Sequence, residues 1–275
     1  MRSAGPWPFV TFRSYRHRGR QIVWRARQHR KGLNRAARGL DPTSVPFWQT
    51  QAYNWYTGLL FAVGASLFLL GSVLTFVHGQ IGVPPDGPIN IVFFAGSIPF
   101  TIAGFLQNFQ AANASEFAAD AGAQETRRTV SLIGWRPGSL GWLSSVTQFV
   151  GTVAFNFNTF DAIDAPSRWY VQDLTIWMPG LVGSILFLVS GYLAFIETSH
   201  GYWSWKPNDL AWWIVFVNLL GCIAFMTAGI LAYVPDGAEP AWIAAVANFH
   251  LGLGALGFLI GAVLMMRESA DAEAG

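Results

Sequence analysis

Hydrophobic residues in this chain come in long unbroken runs, not in the short alternations or one-sided stripes of a soluble domain. Six stretches free of Asp, Glu, Lys and Arg lie at about 53–77, 89–107, 142–160, 174–196, 210–234 and 242–266. Each reaches the roughly 18–20 residues that a helix needs to cross a ~30 Å hydrocarbon layer. The pattern predicts an all-α, polytopic membrane protein with six transmembrane helices. The third stretch is the most diluted, by Ser144, Ser145, Thr147, Gln148, Asn156 and Asn158.

A finer pattern runs through all six. Gly64, Gly96, Gly151, Gly183, Gly221 and Gly254 are each followed four residues later by Phe68, Phe100, Phe155, Phe187, Phe225 and Phe258. Three residues further on stand Gly71, Ala103, Asn158, Ser190, Ala228 and Gly261. On a helix the small residue falls within ~20° of the glycine and the Phe ~40° to the other side, so each helix carries a notch beside a knob. Lipid chains are as apolar as Leu, and helices in a bilayer associate through such close packing. The twelve Gly and Phe residues are therefore expected to face other helices.

The glycines pair by spacing: Gly64 with Gly96, Gly151 with Gly183, and Gly221 with Gly254 are 32, 32 and 33 residues apart, with longer links between pairs. Trp55, Trp142 and Trp212 stand nine before the first glycine of each pair, where they read as interfacial anchors. Leu106, Leu193 and Leu264 stand ten after the second, and Gln110, Glu197 and Glu268 fourteen after it, at a boundary where basic residues are close. The reading is a threefold tandem of a helical hairpin in an approximate threefold arrangement. Its divisions are a basic tail (1–48), hairpins at 49–110, 142–200 and 201–268, a linker (111–141) and a short C-terminal tail (269–275).

Composition agrees: 52% of residues are hydrophobic and 12% charged, against about a quarter charged in soluble domains. Charge sets the orientation. Residues 1–40 hold ten Arg and Lys31 with no acid, and Arg127, Arg128, Arg136, Lys206 and Arg267 fall on the same side, leaving only Arg168 opposite. That asymmetry places both termini in the cytoplasm. The first apolar run begins near residue 53, too late for a secretory leader, although an acid-free Arg-rich N-terminus also suits a mitochondrial transit peptide. Fifteen Arg to two Lys, with abundant Ala and Gly, points to a bacterium with a GC-rich genome and so to its inner membrane.

Within the tail, RSYRHRGRQIVWRARQHRKGLNRAARG (13–39) interleaves apolar and basic residues. It is expected to lie as a helix on anionic lipid headgroups through Arg16, Arg18, Arg20, Trp24, Arg25, Arg27, Arg30 and Lys31. Nucleic acid is the less favoured partner of the same cluster, and a solvated, topology-setting tail is the third reading. Residues 112–130 are expected to form a short surface helix, with RPGS breaking the chain before the third span.

GLLFAVGASLFLLGS (58–72), GLVGSILFLVSG (180–191) and GLGALGFLIGAV (252–263) resemble the YrhK-like family, a small two-helix bacterial membrane domain with G-x-x-x-F and F-x-x-G-S elements. The likeness covers about half the chain, which departs from the family in its threefold tandem and its long basic tail. The resemblance implies a fold and no activity.

Reactive chemistry is sparse. Cys222 is the one cysteine, which excludes intrachain disulfides, and no nucleophile elbow, zinc-protease motif, P-loop or dinucleotide fingerprint occurs. Neither a cofactor nor catalytic residues are expected. His78 and His250, near the acidic loops of the outer side, are the weak candidates for a metal or proton-responsive site. The leading expectation is a non-enzymatic scaffold or accessory protein packing against lipid and other membrane-protein subunits. The alternatives are a transporter or channel for a small solute or cation, lined by Asn156, Asn158, Asn218 and His250, and, third, an integral membrane enzyme.

Overall fold

The computed structural model describes residues 1–17, 20–33, 45–82, 84, 87–115, 117, 129–237 and 240–274. Three short strands, β1 (Arg2–Ala4), β2 (Phe12–His17) and β3 (Arg20–Arg25), form an antiparallel sheet in that order and lead into α1 (Ala26–Lys31). The long helices are α2 (Gln51–Ile81), α3 (Gly87–Asn113), α4 (Leu140–Asp161), α6 (Met178–Ser199), α7 (Leu210–Leu231) and α8 (Ala241–Ala274), with a one-turn α5 (Trp169–Gln172) before α6. Thr50, Ser139 and Asp209 cap α2, α4 and α7 by accepting from the main-chain N–H of Tyr53, Trp142 and Ala211.

Each long helix packs against two others in the order α2, α3, α4, α6, α7, α8 and back to α2, which closes a ring. The sheet and α1 cover the end where α2, α4 and α7 begin; this is the capped end, and the hairpin tips form the far end. Among the described residues five stretches are long and apolar enough to cross a membrane: Gln51–Ile81, Gly87–Asn113, Trp169–Ser199, Leu210–Leu231 and Trp242–Asp271. The molecule has the build of a multi-pass membrane protein, and its outward faces are apolar, with Leu70, Ile98, Val189, Ile223 and Val263 exposed.

Helix α4 falls short of that apolarity for a reason visible in its packing. Its outward face carries Val150, Phe157 and Phe160, while Ser144, Ser145, Thr152 and Thr159 are buried against other helices. Ser144 and Ser190 each donate to the other's carbonyl, at 3.0 and 2.7 Å, and Thr101 donates to Asn156 Oδ1 at 3.2 Å. Polar side chains bonded across helices hold a bundle together without facing lipid.

Within each hairpin the two motif glycines touch main chain to main chain. A Cβ on Gly64 would lie 2.8 Å from Gly96 O, one on Gly183 3.1 Å from Gly151 O, and one on Gly254 3.0 Å from Gly221 O. The knob of each helix then covers the notch of the other: the same atoms would meet Phe100, Phe155 and Phe225. This reciprocity drives all six Phe rings to the axis, where they stack as two triangles. Phe68, Phe155 and Phe225 have centroids 5.6–6.5 Å apart, and Phe100, Phe187 and Phe258 5.5–6.0 Å apart.

A ring of hydrogen bonds joins the hairpins toward the far end. Six residues before the glycines of α3, α6 and α8 stand Asn90, Trp177 and Asn248. Asn90 donates to Ala162 O at 2.6 Å, Trp177 to Gly229 O at 2.9 Å and Asn248 to Ser72 O at 2.9 Å, each crossing to the next hairpin and the last returning to the first.

Two expectations are corrected. The tail segment 13–39 is not one continuous helix: β-branched and aromatic residues spaced among the cations favour the strands β2 and β3, and among the described residues of the segment only the six of α1 are helical, residues 18–19 and 34–39 lying outside them. Trp142 and Trp212 are not interfacial anchors. Both are buried, with their indole N–H groups donating to Ile133 O at 2.8 Å and Ser204 O at 3.1 Å, so they pin the loop before each helix. Of the surface helix expected at 112–130, residues 116 and 118–128 lie outside the described residues.

Replacing Gly254 by Ala should lower stability by ~1–3 kcal/mol, because the new methyl would sit 2.1 Å from a Phe225 ring carbon with the Gly221 main chain behind it. Gly79→Ala, in the same fold but with nothing within 4 Å, should leave it unchanged or raise it slightly. Thermal melting of both variants in one detergent separates the two outcomes.

Candidate functional site

Charge chemistry among the described residues concentrates at the capped end. Helix α1 has six residues, too few to hold itself, and it ends on Gly32 in a left-handed turn where a Cβ would collide with Gln49 O at 2.4 Å. What holds it is the bundle. Arg27 makes a two-pronged pair with Glu268, its second prong at 2.9 Å, and Lys31 reaches the same carboxylate at 2.9 Å. Arg30 pairs with Glu197 through two bonds of 2.6 and 2.9 Å. The third position of that set, Gln110, bonds Asn54 Oδ1 at 3.0 Å, and Asn54 donates to the Lys31 carbonyl at 2.9 Å. One short helix thus binds all three hairpins.

These groups are withdrawn from water, with Glu197 2% exposed and Lys31 4%. Burial lowers the Lys31 ammonium to about 8 while Glu268 opposes the fall. Gly141 is shaped to the pair: a Cβ there would stand 1.6 Å from Arg30 Nη1. Three residues of the expected headgroup cluster, Arg27, Arg30 and Lys31, therefore turn into the bundle rather than onto a lipid surface. Trp24 packs edge-on to Phe117 and tilted to His29, Arg25 is half-buried at the end of β3, and Arg16 is exposed on β2. Arg18, and the side chain of Arg20, lie outside the described residues.

Beneath α1 a polar cavity of about 70 Å³ reaches down to Phe100 and Phe258, walled by the ion pairs with Ser144, Gln148, Ser190 and Asn218. On the other side of the rings a larger cavity, about 400 Å³, is floored by Phe68, Phe155 and Phe225 and reaches toward the far end. Between them about 10 Å³ remains among the rings, no more than one water requires. The triangles thus separate the two cavities, and Asn158 and Asn218 stand on opposite sides of the seal.

His78 and His250, the weak candidates for a metal or proton-responsive site, each bond within their own helix. His78 Nδ1 donates to Thr75 O and His250 Nδ1 to Val246 O, both at 2.9 Å. No cluster of three or more His, Cys, Asp or Glu suited to a metal occurs among the described residues. Two other histidines have tertiary roles: His29 bonds Ser115 Oγ at 2.8 Å, and His200 ends α6 in a left-handed turn, bonds Thr11 Oγ1 at 3.0 Å and packs on Phe12. Burial, then repulsion from Lys206 and Arg25, lowers the His200 imidazole to about 4. Two helix-capping cations were also missed. Arg136 donates to Ala114 O, and Lys206 to Thr198 O and Ser199 O at 3.1 Å, each neutralising the carbonyl end of the preceding helix. Their signal was the repeated string Trp135-Arg136-Pro137 and Trp205-Lys206-Pro207, seven residues before each buried Trp.

No protein-family model, curated protein or solved structure matches this chain, so these comparisons add nothing to the resemblance to the YrhK-like family.

Glu268→Gln leaves two buried cations facing an uncharged amide and should cost ~3–5 kcal/mol. Arg267→Gln, which removes only the exposed pair with Asp271, should cost close to nothing. Thermal unfolding of the two variants checks the contrast. For His200 the folded value lies below the ordinary 6.5, so the unfolded chain takes up the proton first. Stability should fall as pH drops from about 6.5 to 4 and the His200 share should level off below that. His200→Asn, which tolerates the same turn, should flatten that part of the pH profile.

Proposed function

We propose that the chain is a non-conducting scaffold or accessory protein of a bacterial inner membrane, built as a threefold tandem of hairpins with six spans and both termini in the cytoplasm. The observation that carries the reading is the pair of Phe triangles, which fills the axis where a solute path would run. The cyclic bonds from Asn90, Trp177 and Asn248 support the tandem, since donors at equivalent positions each reach a carbonyl of the next hairpin, two of them the one eight residues after its first motif glycine. The polar face of α4 is buried, which supports its crossing beside the other five. Exposed Trp135, Trp203 and Trp205 at one end and Trp169, Tyr170 and Trp242 at the other fit the aromatic belts of two interfaces. Contact with anionic headgroups rests on fewer cations than the tail contains, because Arg27, Arg30 and Lys31 are spent within the fold.

One observation favours a second reading, a channel for a small solute or cation. Cavities back to back on the axis with an aromatic constriction between them are the arrangement of a hydrophobic gate. Reconstituted vesicles decide between the two: the scaffold reading expects no ion or solute flux from the native chain or from Phe187→Ala. Flux that appears with Phe187→Ala and is absent from the native chain would transfer the proposal to the channel. Orientation is tested in cells. Cysteines at Gly79 and Asp236 should react with an impermeant thiol reagent from outside, and one at Trp203 only after permeabilisation; the reverse pattern would overturn the topology.

A further inference from the structure

We infer that the far-end cavity is a binding site for an uncharged, hydroxyl-bearing amphiphile with an aliphatic tail, a class that neither the scaffold nor the channel reading requires. All six long helices contribute to its wall, and its volume of about 400 Å³ falls within the ~300–1,000 Å³ of small-molecule sites. At roughly 30 Å³ per non-hydrogen atom, the volume of a water in liquid, it holds about a dozen atoms.

The wall defines the chemistry. Among the described residues none that lines it carries a charge, so an ion or a carboxylate entering it would lose hydration with no countercharge from them in return. Its floor is three Phe rings and its sides include Ile176, Leu181 and Leu251, which suit a hydrocarbon chain. The polar groups are chiefly amides already committed on one side. Asn90, Asn158 and Asn248 each give their NH₂ to a main-chain carbonyl, at 2.6, 2.8 and 2.9 Å. What each still offers is its carbonyl oxygen, an acceptor. These three acceptors select a ligand that donates, the Tyr233 hydroxyl on the same wall can both donate and accept, and a ligand hydroxyl answers both without bringing charge. An alkane would fill the space and leave those oxygens without donors; a carboxylate would add acceptors to acceptors. The same head and tail occur in a free fatty alcohol and in a neutral monoacylglycerol drawn from the bilayer.

The full chain in lipid nanodiscs, free of detergent, is heated with 1-decanol, monohexanoylglycerol, decane or sodium decanoate. Decanol at about a hundred times its Kd should raise Tm by roughly 5–10 °C, and decane and decanoate should not. A larger rise with monohexanoylglycerol than with decanol assigns the source to membrane lipid; the reverse order assigns it to free alcohol. Ala247→Leu, which fills part of the cavity, should fold with an unchanged ligand-free Tm and lose the rise. The Asn158→Leu and Asn248→Leu pair should respond to decane as much as to decanol. A decanol analogue with a diazirine in its tail should label Trp177, Tyr233 or Leu251 in the native chain, a readout that needs no variant. Equal rises with decane and decanol in the native chain, or labelling confined to the lipid-facing surface, would overturn the site.

Discussion

Two glycines in van der Waals contact set the geometry of each hairpin. With no Cβ between them, the main chains of Gly64 and Gly96, Gly151 and Gly183, and Gly221 and Gly254 approach closely, and each helix's Phe swings over the other's glycine. The direction of that swing is inward, so six separate local contacts become one aromatic core, with offset and edge-on rings at the separations aromatic pairs favour. In lipid, where burying apolar surface brings little net gain, such van der Waals and quadrupole contacts are what distinguishes one helix arrangement from another. The two cavities follow from it, since rings collected at mid-axis leave the space above and below them less filled.

Electrostatics governs the capped end by a different logic. Three cations on α1 face two carboxylates from the ring, an arrangement that costs desolvation for every partner and is worth having mainly for the register it imposes. Arg27 and Lys31 share Glu268, while Arg30 takes Glu197 and the space over Gly141 that any side chain would fill. Only one docking of α1 satisfies all of these together, and the neutral Gln110–Asn54 pair closes the third side through a main-chain carbonyl.

Much of the transmembrane architecture was legible because its signals are periodic. The notch-and-knob spacing pointed to the faces that meet, and the positions fourteen after Gly96, Gly183 and Gly254 pointed to the layer where Gln110, Glu197 and Glu268 gather. The tail was misread because its charge density suggested a solvated or lipid-bound surface. Its acid partners lie at the ends of distant helices, beyond any local pattern, and alternation of Phe12, Tyr15, Ile22 and Trp24 among arginines marks strands as readily as a helix. The buried Trp pair was misread because an indole at a helix start looks alike whether its N–H meets a headgroup or a loop carbonyl. Cavities left no signal at all, being set by where side chains are not.

The pair between Arg27 and Glu268 joins residues 241 positions apart. Arg27 and Lys31 are made long before Glu268, so until α8 is synthesised these two cations of α1 lack the carboxylate they enter. Glu197 arrives earlier and takes Arg30 first, from 167 positions away. The ring is therefore fastened by α1 only when α8 has been made as far as Glu268, and a chain that stops short of Glu268 carries two cations with nowhere to be buried. Closure of the bundle doubles as a check on its length.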